Sequence, residues 1–383
     1  MCLAPQCSVR GPGSRTRARV RLARFPNPAY AGVAGGWDIP RRAIEFQSSM
    51  DNLTHTLTGI VLSRAGFNRV VPRASLLLAL ASNAPDLDII AGLDGSLAYL
   101  HHHRGWTHAF AFAPIVALAP LPIWFWLNRK NQPGSRQLLV AWLLSIAGVV
   151  AHHLMDWLNV YGIRLLLPFR WDWLRLDLLY IVDAWVWLIL LMAMIAPALT
   201  RLVYGEMGAK AGSGRGAAWA AILLLGFYFG LRWETHGRAV GQLESRLYGG
   251  MPPLQVAAVP GPINPLRWTG LVETARAWHV LEVDLTRPFD SESGETFYRP
   301  GLTRAVASVR QTHTARQFLD FARFPVWRVV PSAEGAGVEE VTIHDIRFGS
   351  PDEMRFTARF VVQPDGRVTR EEFLFGSMGG GRR

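Results

Sequence analysis

Residues 109–127, AFAFAPIVALAPLPIWFWL, carry no charge at all. A bilayer core about 30 Å thick takes about 20 apolar helical residues to cross, so this run decides the class: an integral membrane protein. Working outward, comparable runs at 74–93, 138–158 and 178–199, with a shorter one at 217–231, predict about five transmembrane helices. A sixth run, 52–63, stops at Arg64 and is too short to cross comfortably. It is either a half-helix or a span whose Arg64 reaches the surface. Composition agrees: charged residues make up 18% of the 383, against about 25% in soluble domains. Half the residues are apolar and only two are Cys, which excludes a disordered chain and a disulfide-stapled secreted scaffold.

The loops set the orientation. Arg64, Arg69 and Arg73, then Arg129, Lys130 and Arg136, then Arg201, Lys210 and Arg215 occupy alternate loops. With five spans these basic loops share one face, which the positive-inside rule makes cytoplasmic. Loops 94–108 and 159–177 are nearly neutral, and Trp106, Trp124, Trp126, Trp157, Trp171 and Trp173 lie near span ends as an interfacial belt would. The expected location is a bacterial cytoplasmic (inner) membrane, crossed several times.

The net charge is +11, but Lys130 and Lys210 are the only lysines, and the arginine bias gives no nucleic-acid footprint. Residues 1–49 hold eight Arg against Asp38 and Glu45, together with both cysteines. They are expected to form a disordered basic extension, read as an upstream start-site extension rather than a working arm, with the protein proper expected to begin at Met50. The helical domain is 50–232. Gly249-Gly250 and the Pro-rich 252–265 make 233–265 a linker.

Beyond the linker the period changes. Met354, Phe356, Ala358, Phe360 and Val362 alternate before a Pro364-Asp365-Gly366 turn, a hairpin signature. Val338, Val341, Ile343 and Ile346 suggest another strand, and HVLEVDL at 279–285 a third. Residues 266–376 are expected to be a small, extracytoplasmic β-rich soluble domain, with 377–383 a disordered tail. The fold class is thus a mainly α membrane protein followed by a small β-rich domain.

The chemistry lies in polar residues set in or beside the spans: His55; Asp86 and Asp88; His101, His102, His103 and His108; His152, His153 and Asp156; and Asp183. Each ionisable group in a membrane segment costs about 2.5–3.5 kcal/mol on insertion scales, so such groups usually face the bundle and act there. The predicted topology brings these to the extracytoplasmic end, His55 only if its helix spans or re-enters from that side. His152 and Asp156 are four apart and share a helical face. Asp86 and Asp88 would diverge on an intact helix, but Pro85 removes a hydrogen bond there and lets both converge. Thr107 is placed to cap the next helix, with His108 in its first turn. Imidazoles and carboxylates without thiolates suit Zn²⁺, Mn²⁺ or Fe. His101 and His102 are read as interfacial. Asp177 and Asp183 are read as structural partners of an arginine such as Arg170 or Arg175.

These motifs are Met50-Asp-Asn-Leu-Thr-His-Thr-Leu-Thr-Gly59, Ala84-Pro-Asp-Leu-Asp88, His103-Arg-Gly-Trp-Thr-His108 and His152-His-Leu-Met-Asp156, followed by Gly162 and Leu165-Leu-Leu-Pro168. Over roughly 50–200 the chain resembles the family of membrane-bound (inner-membrane) metal-dependent hydrolases, long filed as a domain of unknown function. The resemblance implies metal ligands at His55, Asp86, Asp88, His103, His108, His152 and Asp156. His153 does not keep the HxxxD spacing and ranks below His152. No substrate comes with the resemblance, and the β-rich part lies outside it.

Two functions from different classes follow. The first is a metal-dependent hydrolase at the outer membrane interface, with zinc as the first expectation, Mn or Fe as alternatives, and one ion or two. The catalytic group would be Asp86, Asp88, His108 and Arg104, with Arg104 holding an anionic group or stabilising transition-state charge. A phosphoester or lipid-linked substrate fits a site at headgroup depth. No Gly-x-Ser-x-Gly element supports a serine hydrolase. The alternative is a non-catalytic protein stabilised by its metal, whose β domain binds a partner or regulates. A solute carrier is disfavoured because the polar residues gather at one end and no inverted repeat is present.

Overall fold

A computed structural model describes residues 43–206, 213–351 and 356–374. The basic stretch up to Arg42, Met354 of the expected strand and the tail 377–383 lie outside the described residues. Four helical stretches are long and apolar enough to cross a membrane: Phe110–Asn131, Ser135–Leu158, Ala184–Tyr204 and Arg215–Glu244. A fifth span is possible as a pair, Ala74–Ala81 with Pro85–Asp94, bent by 42° at its break. The observed architecture is a helical region with four to five candidate spans followed by two small antiparallel β-sheets.

Helix α1 (Ala43–Ala65) is longer than the expected 52–63, because helix-compatible residues continue it upstream. It packs against α2 (Ala74–Ala81), and later against the three long helices that follow. Glycines make the first contact possible. A Cβ on Gly59 would lie 2.5 Å from the Leu78 carbonyl oxygen, and one on Gly148 would lie 2.8 Å from the Ala81 side chain. Small residues of this kind let helix backbones approach closely in a membrane. Thus α2 is held between α1 and the helix carrying Gly148, and its end is fixed in place.

That end is where the expected single span 74–93 breaks. After α2 the chain turns at Ser82–Ala84 and continues from Pro85 to Asp94 as 3₁₀ helix. Short α3 (Ser96–His102), α4 (Ala113–Val116) and α5 (Leu121–Asn128) lead to α6 (Ser135–Leu158). Helix α7 (Ala184–Glu206) starts later than the expected 178, because Asp183 sits at its N-terminus and accepts the N–H groups of Trp185 and Val186. Leu57, Val61 and Ala65 of α1 are buried with Leu190 and Ala193 of α7 and with Ala218 and Ala221 of α8 (Arg215–Glu244). The N-terminal helix is therefore central, not peripheral.

The stretch 233–265, read as a linker, is largely regular structure. Helix α8 runs on to Glu244, and at 1.5 Å per residue its length is about 45 Å, more than the hydrocarbon core needs. Its far end buries Ala239 and Leu243 against Trp268, Val272 and Val283 of the first sheet. That sheet has the order β1 (Gln255–Pro260), β2 (Arg267–Glu273), β3 (Ala277–Asp284), β4 (Glu295–Tyr298), all antiparallel. Helices α9 (Arg304–Val309) and α10 (His313–Phe321), capped by the Thr303 and Thr312 hydroxyls, lead to the second sheet. Its order is β5 (Pro325–Pro331), β6 (Glu339–Asp345), β7 (Thr357–Val362), β8 (Val368–Leu374). The expected turn at Pro364–Gly366 joins β7 to β8, with Gly366 at φ 87°.

The second sheet does not stand apart. Its core of Phe318, Phe321, Val341, Ile343 and Phe360 also contains Leu100, Val160 and Tyr161 of the helical region. Arg323 pairs with Asp177 at 2.7 Å and Arg164 pairs with Asp320. The partner of Asp177 is thus Arg323, whereas Arg170 pairs with Asp172.

Candidate metal centre

Four segments meet at one buried place. α1 brings His55, the bent 85–94 segment brings Asp86 and Asp88, the 103–108 turn brings His103, Arg104 and His108, and α6 brings His152 and Asp156. His55, His108, His152 and Asp156 are each at most 1% exposed. Three overlapping trios have ligand atoms close enough to share a metal ion: His55, His152 and Asp156; Asp86, His108 and His152; and Asp86, Asp88 and His103.

The backbone aims the imidazoles. Nδ1 of His152 lies 2.8 Å from the Ser82 carbonyl oxygen, which can only accept, so that nitrogen carries the proton. Its Nε2 then presents a lone pair, one helical turn from Asp156, at 3.3 Å from Oδ2. Ser82 is available for this because α2 ends at Ala81. Nδ1 of His108 lies 3.2 Å from Asp88 Oδ2 and 2.9 Å from the Thr107 hydroxyl, which itself donates to Asp88. The same logic places a proton on Nδ1, so that the neutral ring of His108 presents Nε2 as an acceptor. The two Nε2 atoms are 3.1 Å apart. They also face Asp86 Oδ1 at 3.4 Å and 3.6 Å and Asp156 Oδ2 at 3.5 Å and 3.3 Å.

Lone pairs of two imidazoles and two carboxylates pointing at each other repel unless a proton or a metal cation lies between them. Asp156 Oδ2 is buried and finds no hydrogen-bond donor among the described residues. Burying such a group without compensation costs about 1–3 kcal/mol or more. The residues present therefore fit a divalent ion, and the N/O donor set without thiolate fits Zn²⁺, Mn²⁺ or Fe. His55 completes the ring: its Nε2 is 3.5 Å from Asp156 Oδ1 and its ring lies 3.8 Å from that of His152.

Asp88 has different neighbours from Asp86. Its Oδ1 takes His103 Nδ1 at 2.9 Å, and its Oδ2 takes the Arg104 N–H at 3.0 Å, the Thr107 hydroxyl at 3.0 Å and His108 Nδ1. Its oxygens are occupied by donors, the arrangement of a carboxylate that orients histidines. Thr107 was expected to cap a helix; its hydroxyl goes to Asp88 instead, and Trp106–His108 form a 3₁₀ turn. Arg104 adopts φ 58°. Its guanidinium lies 3.0 Å from both Asp156 Oδ1 and Asn159 Oδ1, and 4.8 Å from the Tyr161 ring centre.

Several sequence candidates fall elsewhere. His153 Nε2 lies 3.2 Å from the Thr107 carbonyl and joins none of the three trios. His101 and His102 contact each other edge to face at the end of α3 and also join none. Asp183 accepts the Tyr228 hydroxyl on both oxygens at 3.0 Å and 2.9 Å. Sequence reading missed Ser82 and Asn159, and gave Thr107 a capping role in place of its bond to Asp88. Asn159 stands three residues after Asp156 at the C-terminus of α6, the one signal that pointed to it.

Among curated proteins, the uncharacterized protein YfhP of Bacillus subtilis (strain 168) is 29% identical over 150 residues, covering 36% of this chain and 43% of YfhP. The chain thus spans less than half the length of that relative. No solved structure matches. Lipid contact and a multi-pass arrangement follow from the spans themselves. Residues 50–239, which contain the whole His/Asp cluster, match the family described as YdjM inner membrane protein.

Proposed function

We propose that the chain is a membrane-embedded metal-dependent hydrolase whose site opens at the extracytoplasmic face. The carrying observation is the pair of Nε2 atoms of His108 and His152, 3.1 Å apart, both turned on the Asp86 and Asp156 carboxylates. His108, His152, Asp156 and Asp86, with His55 beside them, would hold a divalent ion, zinc first. When bound, such an ion supplies a nucleophilic oxygen near neutral pH and polarises the bond to be cleaved. Asp88 fixes the His103 and His108 rings. With Nδ1 of His103 tied to Asp88, its Nε2 is the proton acceptor we assign as general base. Arg104 balances the charge of Asp156 and adds positive potential beside the reacting group. Asp86, with a side chain 16% exposed, is the ligand open to substrate. A phosphoester, lipid-linked in the favoured case, suits this charge balance and the surrounding lipid.

One observation favours a second reading. Asp156 and His108 have no exposed side-chain surface, and closed coordination is the mark of structural metal sites. In that reading the ion braces the helices while the sheets bind a partner. Generic phosphodiester and carboxylester substrates, given to metal-loaded wild type and Asp156→Ala, separate the two. The hydrolase reading requires turnover by wild type that the variant loses; metal-loaded wild type without turnover on any substrate, together with a lowered melting temperature on metal removal, favours the structural one.

A further inference from the structure

Helix α6 ends at Leu158, two residues after Asp156. Helix ends fray unless their free backbone groups are tied down. The Trp157 and Leu158 carbonyls accept the N–H groups of Leu176, Leu178 and Leu179, and the backbone just beyond them is held from the second sheet. Arg347, just after β6, reaches across to the Val160 carbonyl at 2.9 Å and the Tyr161 carbonyl at 3.5 Å. The same guanidinium donates to the Phe321 carbonyl at 3.2 Å and to Asp345 Oδ2 at 2.9 Å and 2.7 Å. Neither the Arg347 nor the Asp345 side chain has exposed surface. Phe321 and Phe348 lie within 4.9 Å and 4.8 Å of the guanidinium carbon.

The gripped backbone leads straight to the metal centre. The Tyr161 N–H donates to Asn159 Oδ1 at 2.9 Å, and that oxygen also accepts from Arg104 at 3.0 Å. Arg104 then lies 3.0 Å from Asp156 Oδ1, and Asn159 Nδ2 lies 3.5 Å from the same oxygen. Every link from Asp345 to Asp156 is therefore a hydrogen bond or ion pair through Arg347, the 160–161 backbone, Asn159 and Arg104.

We propose that Arg347 is a positioning residue for the metal centre, and that the second sheet sets the aim of Asp156 through its grip on Val160 and Tyr161. The proposal rests on the metal reading above. A lysine cannot reproduce the grip, since it offers one compact ammonium where arginine presents a planar fork of five N–H donors. Outer partners of metal ligands typically alter affinity by about 10- to 100-fold.

The test uses the full chain purified in detergent, titrated with Zn²⁺ against a competing chelator and with Co²⁺ for its visible spectrum. Arg347→Lys and Asn159→Ala are each expected to weaken Zn²⁺ binding by about 10- to 100-fold and to shift the Co²⁺ bands. The double variant is expected to be no worse than the weaker single one, because both cut one chain of contacts. Either single variant with wild-type affinity and spectrum overturns the proposal, as do fully additive losses. If Arg347→Lys does not fold, Asn159→Ala decides: a loss supports the relay and wild-type behaviour removes it. Wild type that takes up neither ion sinks the metal reading and this inference with it; wild type that binds while the variants match it sinks this inference alone.

Discussion

At the scale of the residue, protonation is decided by what sits behind each imidazole. The Ser82 carbonyl and Asp88 claim one nitrogen each of His152 and His108, and the other nitrogen of each ring has no choice but to face the cluster. Asp88→Asn keeps the volume but can turn an N–H₂ toward His108 and His103. We expect Zn²⁺ affinity to fall about 10- to 100-fold without being abolished, measured by competition titration. Complete loss would make Asp88 a direct ligand, and no change would make it a bystander. The sequence made part of this legible. The i, i+4 spacing placed His152 and Asp156 on one face, and Pro85 announced that both aspartates could converge. It did not separate the surroundings of Asp88 from those of Asp86, because both sit in one short motif and only the neighbours of each oxygen distinguish them. Backbone acceptors such as Ser82 leave no side-chain signature.

At the scale of the element, the centre depends on three helices meeting closely. Gly59 on α1 and Gly148 on α6 both touch α2 near Leu78, which fixes where α2 stops and where the Ser82 carbonyl points. Gly59→Ala would press a methyl group against backbone atoms that cannot move aside as a flexible side chain would. Overpacking of this kind costs about 1–3 kcal/mol, so the melting temperature in detergent should drop, and metal affinity with it. An unchanged melting temperature would show that α1 and α2 can separate freely. Hydropathy read the long spans well because lipid-facing length is what it measures. It misjudged α1 and the end of α8 for the same reason. α1 is surrounded by other helices and keeps polar residues such as Thr54, His55 and Ser63 buried, while the last turns of α8 are stabilised by a sheet.

At the scale of the whole molecule, the sheets and the helical region form a joined structure. Burial alone would push the Asp345 carboxyl up; the Arg347 guanidinium, with the N–H groups of Arg347 and Arg323, instead holds it below the ordinary 3.8. A carboxyl lowered on folding contributes stability that is complete above the unfolded value, about pH 4, and is lost as pH falls through the folded one. Thermal unfolding followed between pH 7 and pH 3 should therefore show an acid-dependent loss that Asp345→Asn flattens. The same variant should cost about 3–5 kcal/mol at pH 7, since it leaves Arg347 buried without its partner. Parallel curves for the two proteins would contradict this. Long-range ties such as Arg347 to Val160 or Arg323 to Asp177 carry no period and no motif. The sequence therefore suggested a separate domain on a linker where the fold has a docked one. Elemental analysis of detergent-purified wild type beside Asp86→Ala and His152→Ala should find a stoichiometric divalent metal in the first and its loss in both variants; wild type without metal, or variants that retain it in full, would contradict a metal centre built from these side chains.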